Sequence, residues 1–557
     1  MDKTEINALK GKVKTMEKTR RFLGILLSLS MLLVLLAGCG SAAPTGTEPT
    51  AAPAAPAETD APAAETAEAD KYGGILRLND TDDKAVLGYP AEIGSGTIVR
   101  HVYPCIETIM RYDSEGNVVP FLAEDVEVDT DALTITLKLK QGIRFHDGTD
   151  FNAEAVKWNL EKQMEAGAGG VSYYESVECT DDYTVVIHLK SWSNIIVANL
   201  ASYAGMMISP TACETNGVDW AKNNPVGTGP FKFVSWEKDV KIVYEKNEDY
   251  WQEGLPYLDG VEISFTADST SREFSFRNGD IDVLCQGDMT NLESLANDGF
   301  SIVTNASGAG ASGLVPDSAD PDSPWSDVRV RQAAAYAING ELIVSSILKN
   351  IAGQYTNEYS SVNNWAYNPN VKGYAYNVDT AKALLADAGY PDGFTTVLNY
   401  NTDSDNADLI AAALQSMLAE VGITCEMNPV QNPRHQEMER KGGGWDGLFL
   451  VGGNPNVDTA DQFKTRLYGG PVWYVDMLHP EDYQAAIDKA VSAVDFEEKQ
   501  AATWEAQSIL IDRDCLMIPF YVMCESTVSQ DYVHDANIST LLYVVSWTPE
   551  TAWMDKH

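Results

Sequence analysis

Three spacings in this 557-residue chain are of types that can do chemistry. Leu36-Ala37-Gly38-Cys39 closes an apolar run, Phe22 to Ala37, that follows Lys18, Arg20 and Arg21. A basic stretch, an apolar stretch slightly short for a stable membrane span, and small residues before a cysteine read as an export signal ending in an acylable thiol. The second spacing, Gly308-Ala309-Gly310-Ala311-Ser312-Gly313, spells a dinucleotide-binding GxGxxG after the apolar run Phe300 to Val303. A cofactor turn of that kind must open a helix whose N-terminus faces the pyrophosphate. Here Leu314-Val315-Pro316 leads to Pro321 and Pro324, so a small-residue strand is expected and no cofactor. The third, His101 and Cys105, has metal-ligand spacing, but Pro104 between them disturbs a helical face. The seven histidines contain no HxH or HExxH, and there is no GxSxG elbow or local Cys-His grouping. Neither a metal site nor catalysis is expected.

The elements that would carry a site belong to a large globular body. Thirty-nine basic against 81 acidic residues give a net charge of −42, which phosphate backbones would repel, so nucleic acid is excluded as a partner. Eight cysteines without a CxxC argue against a disulfide framework or a structural zinc. With Cys39 acylated, seven would remain, an odd number that leaves at least one thiol free. From Gly40 to Asp70 the chain has no aromatic, no Lys or Arg and no Val, Ile, Leu or Met. Such a segment cannot bury enough apolar surface to offset its entropy, and it reads as a tether. After Tyr72, strands (Gly74 to Leu78, Leu133 to Leu139, Thr184 to Leu189, Val240 to Tyr244) interleave with helices (Asn152 to Met164, Asp327 to Ile338, Val378 to Ala388, Ala407 to Val421, Pro480 to Leu510). The body is mixed α/β without internal repeats.

The stretch Asn117 to Glu124, the Gly142-Ile143-Arg144-Phe145-His146-Asp147-Gly148 run, Ala153 to Trp158, Pro225 to Phe231, Asn247-Glu248-Asp249-Tyr250-Trp251, Asp327 to Ala333, Ala381 to Phe394 and Ile518-Pro519-Phe520 resemble the oligopeptide/nickel family of bacterial extracellular solute-binding proteins. Most of these motifs are of the kind that backbone geometry or packing demands. The resemblance implies a two-lobed, type II periplasmic-binding-protein-like α/β fold with an extra subdomain on the first lobe and a cleft between the lobes. The residues themselves put a signal at 1–38, with 1–15 read as an extension ahead of Met16, and a tether at 39–70. Lobe one would take 71–309 and 520–557, including the subdomain 116–203, and lobe two would take 310–519. The resemblance also implies capture of a small solute, delivery to the permease of an ABC importer, and a monomer. The Cys39 context resembles a bacterial lipobox, which would anchor the body to the outer face of the cytoplasmic membrane.

Recognition in such a cleft would rest on aromatic and neutral polar groups. Tyr89 lies where the family's first cleft loop begins; Trp365 and Tyr367 occupy a polar loop in lobe two. Trp445 heads a strand that ends in Gly452-Gly453-Asn454-Pro455-Asn456-Val457-Asp458, the expected binding loop. Many peptide-binding relatives place there an aspartate that accepts from the peptide's amino terminus, and the alignment puts Asn456 in that slot. A neutral amide lacks charge assistance, so an uncharged oligosaccharide or N-blocked peptide is favoured, with ordinary oligopeptides as the alternative. A two-residue slip would put Asp458 in the slot. A surface glycosidase or peptidase, and a solute sensor for a signalling partner, stand as the other readings.

Overall fold

The computed structural model describes residues 71–555 apart from 82, 84–85, 94–97, 114–116, 286–288, 306–309, 363, 441, 454–457, 469–472, 539, 542–543 and 546. Cys39, the signal and the tether lie outside the described residues. Two sheets dominate the body. The first has seven strands in the order 302–305, 525–529, 283–284, 75–80, 260–265, 241–246, 231–237. The second has six, in the order 353–355, 518–523, 311–316, 448–451, 394–401, 423–430. The chain leaves the first sheet after Asn305 and enters the second at Ala311, then returns between Met523 and Glu525. Residues 520–523 therefore stay with the second sheet rather than the first lobe, because Ile518–Met523 pairs with Ala311–Pro316 on one side and Gly353–Tyr355 on the other.

The small-residue strand explains the GxGxxG spelling. All six residues of Ala311–Pro316 are buried, and a Cβ on Gly313 would sit 2.3 Å from the carbonyl oxygen of Ile518. Glycine is there so that two backbones can approach.

A four-stranded antiparallel sheet, 123–129, 134–139, 184–189, 174–181 in order, forms a separate core with the helix Ala153–Glu165. That helix starts where its sequence says it must. Asn152 Oδ1 accepts from the Ala155 N–H at 3.0 Å. Its buried face carries Val156, Asn159, Leu160 and Gln163, one helical stripe. In the second lobe Asp327 caps Val328–Ala337 in the same way. From that helix the buried Arg331 donates to the carbonyls of Trp325, Ser326 and Asp514, tying the helix to the segment that enters the Ile518–Met523 strand. The expected helix Pro480 to Leu510 is two helices, Glu481–Ser492 and Phe496–Ser508. The break comes because Asp495 caps the second one, accepting from the Glu498 N–H at 3.0 Å. None of the seven described cysteines is in a disulfide.

Candidate functional site

Two of the family-like motifs of the first lobe, 225–231 and 247–251, meet around one carboxyl group, that of Glu107. Tyr250 Oη donates to it at 2.6 Å, Trp251 Nε1 at 2.9 Å and Thr228 Oγ1 at 2.8 Å. Gly227 comes so close to this turn that a Cβ would lie 2.0 Å from the Cys105 carbonyl oxygen. His146 Nε2 and Asn247 Nδ2 both hold the carbonyl of Gly229, at 2.8 and 3.1 Å. The knot is structural, and it fixes one wall of a cavity of about 40 Å³ lined by Tyr103, Ile106, Tyr112, Phe121, Trp547 and Glu550. Burial pushes the Glu107 carboxyl up to about 7 even though three donors favour its ionised form.

The second lobe contributes a polar floor. Strands Phe394–Asn401 and Leu448–Val451 run parallel, and their carboxyl ends open onto a cavity of about 190 Å³ beside the crossing strand that carries Tyr521. Ligands of open α/β sheets bind at such strand ends. Trp473, in the cavity wall, has guanidinium carbons of Arg440 and Arg466 each 4.4 Å from its ring. His435, stacked on Phe449 at 4.2 Å, directs its ring nitrogens at the Leu450 carbonyl and at Glu439. Gly453, first residue of the expected binding loop to be held, donates its N–H to Ser312 Oγ at 2.7 Å, joining that loop to the crossing strand.

The two lobes approach each other at this end. Burial, and then the negative charges of Asp458 and Asp461 in the second lobe, hold the phenol of Tyr112 in the first lobe well above its ordinary range. Asp458 itself is buried; it caps the helix Thr459–Gln462 and is ion-paired with Lys499. The Lys499 ammonium stands 5.1 Å from the ring of Trp365, whose carbonyl accepts from Gln500 Nε2. Trp365 and Asp458, far apart in sequence, are thus joined through a lysine that sequence reasoning missed.

The other expected contacts are dispersed. Tyr367 is half-buried in the same loop as Trp365, its N–H donating to the Asn364 carbonyl. Tyr89 is 7% exposed in the core of the first sheet, with Cys213, Lys162 and Glu165 around its phenol. Trp445 is 5% exposed, packed on Phe449 and Tyr474, where it borders a separate cavity lined by Asp317, Asp446 and Asp476. Asn454 and Asn456 lie outside the described residues.

Comparison with known proteins agrees with this geometry. The model for the middle region of bacterial extracellular solute-binding proteins, family 5, matches residues 117–474. The glutathione-binding protein GsiB of Shigella flexneri is 32% identical over 372 residues, 65% of this chain and 71% of that protein. Among solved structures, HbpA2 from Haemophilus parasuis superposes with a TM-score of 0.77 at 21% identity, covering 87% of this chain and 100% of that one. DppA from Helicobacter pylori, in complex with the peptide STSA, superposes with a TM-score of 0.67 at 23% identity, covering 88% and 100%. With two lobes crossed twice by the chain, a type II periplasmic-binding-protein fold and these relatives, the chain belongs to the bacterial extracellular solute-binding proteins of family 5, which capture small solutes for ABC importers.

Proposed function

We propose that this protein takes a short peptide or peptide-like solute between its lobes and releases it to its importer from a lipid anchor at Cys39. The observation that carries the ligand class is the cavity at the carboxyl ends of the second-lobe strands. There Arg466, over the Trp473 ring, offers guanidinium donors beside Gly452. The relatives named for glutathione support it. The Asp458–Lys499 pair narrows the class further. A ligand ammonium reaching Asp458 would have to compete with a lysine already in place, so blocked or weakly cationic N-termini are favoured. Trp365, Tyr367 and the loop at 454–458 are the proposed contacts. Calorimetry with glutathione, tripeptides, their N-acetyl forms and oligosaccharides tests this. Binding of N-acetyl tripeptides at least as tight as the unmodified forms is expected; binding of oligosaccharides alone would overturn the peptide reading.

The anchor has its own test. Acyl chains contribute about 0.8 kcal/mol per buried CH₂, so a multiply acylated Cys39 holds the body on the membrane. Cys39→Ala is expected to release the protein or stall its processing, read by fractionation and intact mass. Normal cleavage with full membrane retention would rule the anchor out. The sensor reading differs only in the partner, so uptake by the reconstituted permease separates it from transport.

A further inference from the structure

One loop of the four-stranded subdomain docks on the end of a second-lobe helix. The helix Glu481–Ser492 ends with carbonyls that have no partner within the helix, as every helix does. The carbonyls of Ala490, Val491, Ser492 and Ala493 are all taken by two residues of the loop between strand Thr184–Leu189 and helix Ile195–Asn199. Asn194 Nδ2 donates to Ala490 at 2.8 Å and to Ala493 at 3.1 Å, the Asn194 N–H donates to Val491 at 2.9 Å, and Trp192 Nε1 donates to Ser492 at 3.0 Å. Nearly 300 residues of chain, including the crossing from the first sheet to the second after Asn305, separate donors from acceptors. The contact therefore ties one lobe to the other and exists only while they are together.

We propose that Trp192 and Asn194 form a latch that sets the balance between closed and open lobes, and through it the affinity for solute, without touching the solute. The donors replace water at carbonyls that carry the negative end of the helix dipole, which favours closure. Against this, Asn194 Oδ1 is buried with no hydrogen-bond partner, which holds the closed state back. A latch so balanced can be released, as a binding protein that must give up its cargo requires. The chemistry also states which substitution acts most strongly. Asn194→Asp would set a carboxylate against the Ala490 and Ala493 carbonyls in place of two N–H donors.

Hydrogen exchange on the whole chain, with no solute added, is the first measurement. Asn194→Asp is expected to speed exchange about tenfold or more in peptides covering 190–196 and 489–496, and also around Tyr112 and Thr459–Gln462, where the lobes face each other. Trp192→Phe, which keeps the ring and loses one donor, is expected to move the same peptides less. A change confined to 190–196 and 489–496 would mean local docking rather than a latch, and unchanged exchange in both folded variants would mean no role at all; either result overturns the proposal. If Asn194→Asp does not fold, Asn194→Ala takes its place under the same criteria. The second measurement rests on the peptide-binding reading: glutathione affinity should fall by about tenfold in Asn194→Asp. Failure of the unmodified protein to bind glutathione counts against that reading and leaves the exchange result to decide the latch.

Discussion

Replacing Lys499 with methionine is expected to destabilise the second lobe by about 3 kcal/mol, because it leaves the buried Asp458 carboxylate without its counter-ion. Asp458 is 4% exposed and the Lys499 side chain is only 14% exposed, so water does not take the lysine's place. Asp458 cannot turn away, since its Oδ1 caps Thr459–Gln462 by accepting from Asp461 N–H at 3.0 Å. The double variant Lys499→Met, Asp458→Asn keeps the cap and removes the charge, and should recover most of the loss. Chemical denaturation of the four members of this cycle measures the coupling directly. Near-additive losses would show that the pair contributes little. The same variant reports on recognition: with its lysine gone, Asp458 becomes an acceptor for a ligand ammonium, and the preference for N-acetyl over unmodified tripeptides should shrink or reverse.

Why some of this was legible in the sequence and some was not follows from the range of the interactions. Asn152, Asp327 and Asn377 announce helices through side chains that bond two or three residues ahead, a signal contained in the local sequence. The break at Asp495 is signalled in the same way, by Glu498 three residues on. The prolines after Gly313, which are incompatible with a dinucleotide turn, are likewise local. Candidate contacts fared differently. Tyr89 is an aromatic residue next to a loop, which is equally the description of a core residue at a turn, and its burial shows only once the fold is known. Lys499, Arg466 and Trp473 sit in helices and loops with nothing unusual around them in sequence, and acquire partners only through contacts with other segments. Glu107 is the clearest case. One glutamate among 81 acidic residues carries no mark of its own, while the motifs that surround it, Gly227-Thr228-Gly229 and Tyr250-Trp251, were conspicuous for reasons that point to it only in three dimensions.

That carboxyl should govern how stability depends on pH. Burial raises Glu107 from its ordinary 4.5 to about 7 in the folded protein. Below pH 4.5 it is protonated both folded and unfolded, and its contribution to stability is fully present. Between about 4.5 and 7 the unfolded chain gives up the proton while the folded one keeps it, so stability falls as pH rises, and above 7 the contribution is gone. At about 1.4 kcal/mol per unit the full loss is on the order of 3 kcal/mol. Glu358, raised by its burial to about 8, adds a loss of the same sign. Asp80 acts the other way: Arg100 and His101 beside it overcome its burial and hold it well below the usual range, so its contribution is lost only in strong acid. Glu107→Gln reproduces the protonated form. Its carbonyl can accept from Trp251 and Thr228, and its NH₂ can donate to the Tyr250 oxygen, which, unlike an indole N–H, can accept as well as donate. The variant is expected to match the parent within about 1 kcal/mol at pH 5 and to exceed it by about 2–3 kcal/mol at pH 8, measured by urea denaturation at both values. Parallel losses in the two proteins between pH 5 and 8 would show that Glu107 is ionised in the folded state throughout, and that the three donors outweigh its burial.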